Sequence, residues 1–393
     1  MNIKENWNFF LPVNIAFGRG RTAEIGELSK KYGKKALIVT GKSSAKKTGL
    51  LDRVTQSLLA SGIESTLFDK AEPNPLTTTA IEGARTAIDT GADMVIALGG
   101  GSIMDSAKAI AFLAENTGDI SDYIFGKLKS DRALPVIAVP TTCGTGSEGN
   151  GFAVLTNPAN GDKKSLRCPA IIPKISIVDS ENMRTMPPAT TAAVGFDAFC
   201  HCLEAYTAVN SVPFTDSLCL SAIELLAKHL ALVTENGAEE SDEIYAAWDA
   251  VSAAATIGGM AIGVCGVTLA HGMEHPASGL KNIVHGKGLA ALTPAVTDFT
   301  IKSLESTGER IFSAKFAAVS RILGGKNEMD LSEKIRKLLS ALHLNLRLSD
   351  LGLSKSDIAW MSENCLKVSA GNLSNTCVPV GIAEIEKLYE ESL

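Results

Sequence analysis

The chain lacks the features that commit a protein to nucleic acid, secretion or a disulfide scaffold. No block of lysine and arginine is dense enough to grip a phosphate backbone, and a formal net charge of −6 works against one. The opening MNIKENWNFF has no basic stretch leading into an apolar run, so a secretory leader is not expected. Eight cysteines, at 143, 168, 200, 202, 219, 265, 365 and 377, contain no CxxC and no regular spacing, and read as reduced thiols of a cytoplasmic protein. The Gly99-Gly100-Gly101-Ser102 turn is neither GxGxxG nor a Walker loop, since no Gly-Lys-Ser/Thr follows it. One stretch, Ala250 to Ala270, is long and uncharged enough for a membrane span. Its content is Ala, Gly, Ser and Thr rather than Leu, Ile and Phe, and Asp249 and His271 bound it, so a tightly packed buried helix is expected instead. Aromatics are scarce at 5% while glycines number 35, a balance suited to tight turns and close backbone approaches.

What is present divides into two grammars. With 393 residues, 45% hydrophobic and 20% charged, the chain is long enough for two well-filled domains. Up to about Met186, short β-rich runs at 36–40, 65–69, 94–98, 135–139 and 175–179 alternate with amphipathic stretches. That alternation predicts an α/β domain over 1–186 with a parallel sheet covered on both faces and its loops gathered along one edge. After Met186-Pro187-Pro188 the text becomes long Ala/Leu-rich helical patterns, predicting an all-helical domain over 187–393 and an active site in the cleft between the halves.

Two small-residue loops follow predicted strands. Gly99-Gly100-Gly101-Ser102 lies between the run 94–98 and a helix expected near Met104. Glycines there let backbone N–H groups approach a pyrophosphate at a helix N-terminus. Thr141-Thr142-Cys143-Gly144-Thr145-Gly146-Ser147 follows the run 135–139, with hydroxyls able to hold ribose, amide or phosphate oxygens. By local composition alone, both are also ordinary turns.

The second half holds four of the six histidines in one region. Asp197 and His201 stand four apart in a helical segment, His271 and His275 repeat the spacing, and His285 follows ten residues on, beyond a Pro/Gly break. Imidazoles with one carboxylate suit Fe, Zn, Co, Ni or Cu rather than Mg or Ca. Spacing leaves open which histidines converge, and structural packing remains an alternative. His271-Gly-Met-Glu274-His275 also satisfies the H-x-x-E-H pattern of a metalloprotease with Glu274 as general base, although Pro276 is expected to end the helix that pattern requires. His229 and His343 have no such company.

Taken together, PNP at 73–75, GGGSIMDSAK at 99–108, PTTCGTGSE at 140–148, GFDAFCHCLEAY at 195–206 and HGMEHP with a later HG resemble the iron-containing (group III, metal-dependent) alcohol dehydrogenases, in order along nearly the whole chain. The resemblance implies a dinucleotide-binding α/β domain, a helical metal domain, and hydride transfer between nicotinamide and a short aliphatic alcohol, diol or aldehyde. It implies Asp197, His201, His271 and His285 as ligands of Fe(II), or of zinc or another divalent ion. His275 then lies near nicotinamide and substrate as a catalytic group. NAD or NADP would be held by Asn74, Gly100, Gly101, Ser102, Asp105, Thr141, Thr142 and Thr145, with Lys164 near the ribose.

Two departures from the family pattern stand out. Many NAD-preferring members carry an Asp after the first strand of this series, where this chain reads Val39-Thr40-Gly41-Lys42-Ser43-Ser44. Without that carboxylate a 2′-phosphate is not repelled, and Gly41, Ser43 and Ser44 with Lys42 are suited to receive it, so NADP(H) use is expected, alone or alongside NAD(H). Near the C-terminus an Asn-Pro-Arg-like stretch is replaced by Leu373-Ser374-Asn375-Thr376. A glycerol-dehydrogenase-like or dehydroquinate-synthase-like enzyme on the same scaffold is the nearest alternative. A homodimer or larger assembly is expected, with no nucleic-acid or membrane partner.

Overall fold

The computed structural model describes residues 6–393, and its contacts divide the chain into two compact units, Leu11–Met186 and Pro187–Leu393. In the first unit six strands form one parallel sheet: β1 (Asn14–Phe17), β2 (Lys35–Val39), β3 (Glu64–Phe68), β4 (Met94–Gly99), β5 (Val136–Pro140) and β8 (Ile175–Val178), in the order β1-β8-β5-β4-β2-β3. Every residue of β4, β5 and β8 is buried, which is why these strands read as unbroken apolar runs rather than as alternation. Period two still sorts their side chains. Ile38, Ile96, Ile137 and Ile175 pack with Leu50, Val54 and Leu58 on one face, while Val39, Val95, Val136 and Ala138 pack with Ala107, Ile110 and Ala111 on the other.

The strand order places a reversal beside β2. From β2 the chain steps outward to β3 and then returns to lay β4 on the opposite side of β2. In open α/β sheets the crevice outside the carboxyl ends of two such strands is the ligand position. Gly41 and the Gly99–Ser102 loop follow β2 and β4 there.

Two features were not legible as strands. β1 is a four-residue edge strand, and β6 (Phe152–Thr156) with β7 (Lys163–Arg167) makes a separate antiparallel ribbon. Residues 6–10 do not group with the sheet unit but with the helical one, where the rings of Trp7 and Phe9 lie 5.3 and 5.5 Å from that of Phe214.

In the second unit the helices Pro188–Thr207, Pro213–Asn236 and Asp242–Cys265 pack on one another. The latter two are long and apolar enough to cross a membrane by length and composition. Close packing accounts for that composition: a Cβ on Gly195 would stand 2.1 Å from Leu230 Cδ1, and one on Gly258 would stand 3.1 Å from Cys202 Sγ. Helices Leu269–Lys281 and His285–Thr307 complete the part of the unit that carries the histidines.

Candidate functional site

The two small-residue loops of the sheet unit interlock. Helix Gly101–Leu113 starts at Gly101, earlier than Met104, with Gly100 at its N-cap and no side-chain cap. Gly100 has an ordinary φ of −75°, so conformational freedom is not what demands glycine there. Space is: a Cβ on Gly100 would lie 2.9 Å from Thr142 Cγ2, and one on Gly101 would lie 2.3 Å from Thr145 Cγ2. Ser102, Thr141, Thr142 and Thr145 are half-buried beside N–H groups that no side chain caps, a suitable cradle for phosphate oxygens. After β2, Lys42, Ser43 and Ser44 are exposed, and a Cβ on Gly41 would meet only ordinary contacts, 3.5 Å from Ala71 O.

Asp105 ties the second loop to the helix that begins at the first. Its Oδ1 accepts from Ser147 Oγ (2.7 Å) and its Oδ2 from Val154 N (2.9 Å), so both oxygens hold the 147–154 segment against the helix. One turn on, the fully buried Lys108 donates to Ser147 O (2.5 Å), Ser147 Oγ (2.7 Å) and Phe152 O (2.8 Å). Burial works against both charges, raising the Asp105 carboxyl and lowering the Lys108 amine to about 8. Together they staple the second loop to the helix that begins at the first.

Strand geometry separates Lys164 from its neighbour Lys163. Successive residues of β7 point to opposite faces. Lys163 Nζ reaches Asn74 Oδ1 at 3.1 Å, whereas Lys164 Nζ lies 5.3 Å from the centre of the Phe125 ring. Lys163 is therefore the lysine beside Asn74, whose backbone is left-handed with φ 53°.

In the helical unit four groups meet at one carboxylate oxygen. Asp197 Oδ1 lies 3.5 Å from His201 Nε2, 3.4 Å from His271 Nε2 and 3.6 Å from His285 Nε2. Asp197 and His201 share a face of Pro188–Thr207, His271 comes from Leu269–Lys281, and His285 opens His285–Thr307. Gly286 allows the last approach, since a Cβ there would stand 2.0 Å from Ala193 O. Burial would raise the Asp197 carboxyl, but His201, His285 and His271 together hold it well below the usual carboxylate range. Burial pushes His201 down to about 4 against the pull of Asp197. Burial also lowers His271, but Glu204 and Asp197 outweigh it and hold that ring at about 10.

The donor set fits a divalent transition ion. Asp197 Oδ1 and His271 Nε2 are buried without a hydrogen-bond partner, a costly arrangement for polar atoms unless a cation joins them. One carboxylate and three imidazoles suit Fe, Zn or Co. His275 is half-buried beside this group, its ring 5.9 Å from that of His285 and 6.3 Å from that of His271.

Two further carboxylates stand behind the histidines. Glu204 Oε1 lies 2.6 Å from His271 Nδ1, and its Oε2 accepts from Thr268 N (2.6 Å) and Thr268 Oγ1 (2.9 Å). Glu274 contacts His285 Nδ1 and accepts from Ser278 Oγ. Glu204 was readable in principle: it lies three residues after His201 and seven after Asp197, on their helix face, in an apolar stretch. The hydrolase reading of H-x-x-E-H fails on placement, because Glu274 is turned to the far nitrogen of His285.

Pro276 does not end the helix. It sits inside Leu269–Lys281, and the chain turns instead at Asn282, with φ 52°. Proline removes the N–H that would serve Gly272 O, and Ser369 Oγ (2.9 Å) and Cys365 Sγ (3.2 Å) donate there instead. The departing C-terminal stretch is a clamp: Asn375 Nδ2 donates to Cys265 O (2.8 Å) and Val267 O (3.0 Å), and its Oδ1 accepts from Asn210 N (3.0 Å).

Comparison with known proteins identifies the family. Residues 12–180 match the family model for iron-containing alcohol dehydrogenase, and residues 191–393 match that for the C-terminal region of the Fe-containing alcohol dehydrogenase family. The NAD-dependent methanol dehydrogenase of Bacillus methanolicus is 31% identical over 92% of this chain and 93% of its own length. The NADPH-dependent butanol dehydrogenase of Clostridium saccharobutylicum is 33% identical over 86% and 84%. The crystal structure of an archaeal halo-thermophilic alcohol dehydrogenase from a Red Sea brine pool superposes with a TM-score of 0.94 at 32% identity, covering all of both chains. The chain belongs to the iron-containing alcohol dehydrogenase family and is an NAD(P)-linked oxidoreductase acting on CH–OH groups.

Proposed function

We propose that the enzyme interconverts short aliphatic alcohols, or small diols, with their aldehydes, using one divalent ion, Fe(II) foremost, and NADP(H) alone or alongside NAD(H). The observation that carries the reading is the approach of three imidazole Nε2 atoms to within 3.4–3.6 Å of the buried Asp197 Oδ1. Asp197, His201, His271 and His285 would hold the ion, which when bound supplies Lewis acidity toward a hydroxyl or carbonyl oxygen. Gly100, Gly101, Ser102, Thr141, Thr142 and Thr145 would hold the dinucleotide, with Asn74 and Lys163 beside them. When bound, nicotinamide would supply the hydride acceptor for the carbinol carbon, and the half-buried His275 would take the hydroxyl proton at a ring nitrogen and return it to solvent.

Substrate size follows the relatives, which act on methanol and butanol by name. The exposed Lys42, Ser43 and Ser44 support a 2′-phosphate, and Lys46 in the following helical turn pairs with Asp69 at 2.5 Å. The eight unpaired cysteines, seven of them buried, support a reducing cytoplasm. A homodimer or larger assembly completes the reading, and light scattering checks it.

The test is a panel of alcohols and aldehydes with both cofactors on metal-reconstituted protein, following the absorbance of reduced nicotinamide. His271→Ala should lose metal and turnover together, whereas His275→Ala should retain metal and lose rate. Equal metal loss in the two variants overturns the ligand assignment, and a large preference for NADH overturns the cofactor assignment.

A further inference from the structure

We propose that Glu274 and Glu204 are positioning residues that lock two of the histidine ligands in one tautomer, and that Glu274 is what retains the ion at the His285 side. The inference rests on the metal reading above and adds to it residues outside the ligand set.

The chemistry begins with the two nitrogens of an imidazole. A neutral ring carries one proton, and whichever nitrogen keeps it cannot offer a lone pair to a cation. A carboxylate at Nδ1 fixes the proton there and turns Nε2 into the donor. His271 has Glu204 Oε1 at Nδ1 and Asp197 Oδ1 3.4 Å from Nε2. His285 has the same two neighbours, with Glu274 Oε2 against Nδ1 as a close ion-pair contact where His271 has a hydrogen bond, and Asp197 Oδ1 3.6 Å from Nε2.

Both carboxylates are held for this task. Glu204 is fixed by the backbone and hydroxyl of Thr268. Glu274 is fully buried, accepts from Ser278 Oγ one turn on, and occupies space that Gly288 leaves open, since a Cβ on Gly288 would lie 2.9 Å from Glu274 Cγ. His285 is the ligand that most needs an anchor. Its side chain is 25% exposed, against 6% for His201 and 3% for His271, and it stands in the first turn of its helix after the left-handed Asn282. The letters H-x-x-E-H at 271–275 thus encode a ligand, the orienting carboxylate of a different ligand, and the neighbouring His275. With Asp197, the two glutamates place three buried carboxylates around a centre of three imidazoles, a set that favours retention of a cation.

The experiment titrates metal-free wild type, Glu274→Gln, Glu204→Gln and Ser278→Ala with Co(II) against a competing chelator, reading affinity and the visible spectrum of the bound ion. Far-UV circular dichroism follows folding. We expect one equivalent bound by wild type, an affinity about 10–100-fold lower in each glutamine variant, and a few-fold loss in Ser278→Ala. Wild type that binds no equivalent of Co(II) overturns the metal reading itself. Wild type that binds while folded Glu274→Gln binds as tightly overturns this inference alone. Should Glu274→Gln not fold, unchanged affinity in Ser278→Ala, which removes only the hydroxyl that orients the carboxylate, overturns it.

Discussion

At Asn74 a left-handed backbone brings the side-chain amide to Lys163 Nζ, while Lys164 leans over Phe125 from the opposite face of the same strand. If the loop region around Asn74 takes the dinucleotide, Lys163→Met should raise the cofactor KM by about tenfold, one charge-assisted hydrogen bond, and Lys164→Met should leave it unchanged. Initial rates with varied NADPH check this, and a larger effect at Lys164 refutes it. Sequence could not separate the two lysines, because strand register is a property of the partner strand and KKSLR carries no apolar alternation to fix it. Lys108 permits a prediction with a sign. Its amine titrates near 8 in the fold and at 10.5 ordinarily, so below pH 8 both forms carry the proton and stability has no slope from this group. Between 8 and 10.5 the unfolded chain binds more proton, so the fold gains up to about 3 kcal/mol as pH rises. Denaturant unfolding across that window should show a rise in wild type that is missing from Lys108→Met, and parallel curves would contradict the assignment.

Among elements, the helices that carry the ligands are spaced by glycine. The first turn of His285–Thr307 lies against the backbone of Pro188–Thr207 at Ala193, one turn before Asp197. Gly286→Ala places a methyl 2.0 Å from Ala193 O and must push the helices apart. We expect a loss of about 1–3 kcal/mol in unfolding and a weaker metal site. Gly272→Ala, beside His271, is the control, since its methyl would meet Asn372 Cβ at 3.4 Å, a contact that small adjustments relieve. Thermal melts and Co(II) titration of the two variants separate the cases, and equal behaviour would show that the approach at Gly286 is not what sets the spacing. Elements were legible to different degrees for identifiable reasons. The buried strands β2, β4, β5 and β8 declare themselves because both faces are covered, while NIAF at the sheet edge is too short to do so. Pro276 misled because the donors that replace its missing N–H, Cys365 and Ser369, lie 93 and 97 residues from Gly272, whose carbonyl they serve.

Over the whole molecule the two kinds of chemistry are divided between separate units. Asp197, His201, His271, His285, Glu204 and Glu274 all belong to Pro187–Leu393, and the glycine and threonine loops all belong to Leu11–Met186. The fold class was legible because a parallel sheet and a helical array leave different periodicities in the sequence. The meeting of ligands from three helices was legible only as spaced letters, since His275 stands as close in sequence to His271 as His201 does to Asp197. The division makes metal removal a local perturbation. An ion at a hundredfold excess over its dissociation constant stabilises the form that binds it by about 2.7 kcal/mol, and that energy enters through ligands of the helical unit alone. Chelation should therefore accelerate amide hydrogen exchange in the Pro188–Thr207, Leu269–Lys281 and His285–Thr307 helices by up to about a hundredfold, and leave β4 and β5 nearly unchanged. NADPH should do the reverse, slowing exchange in the segments after β4 and β5 in metal-free protein. Uniform acceleration of both units on chelation would mean that they open as one cooperative body, and unaltered exchange in the three helices would mean that their side chains hold no ion.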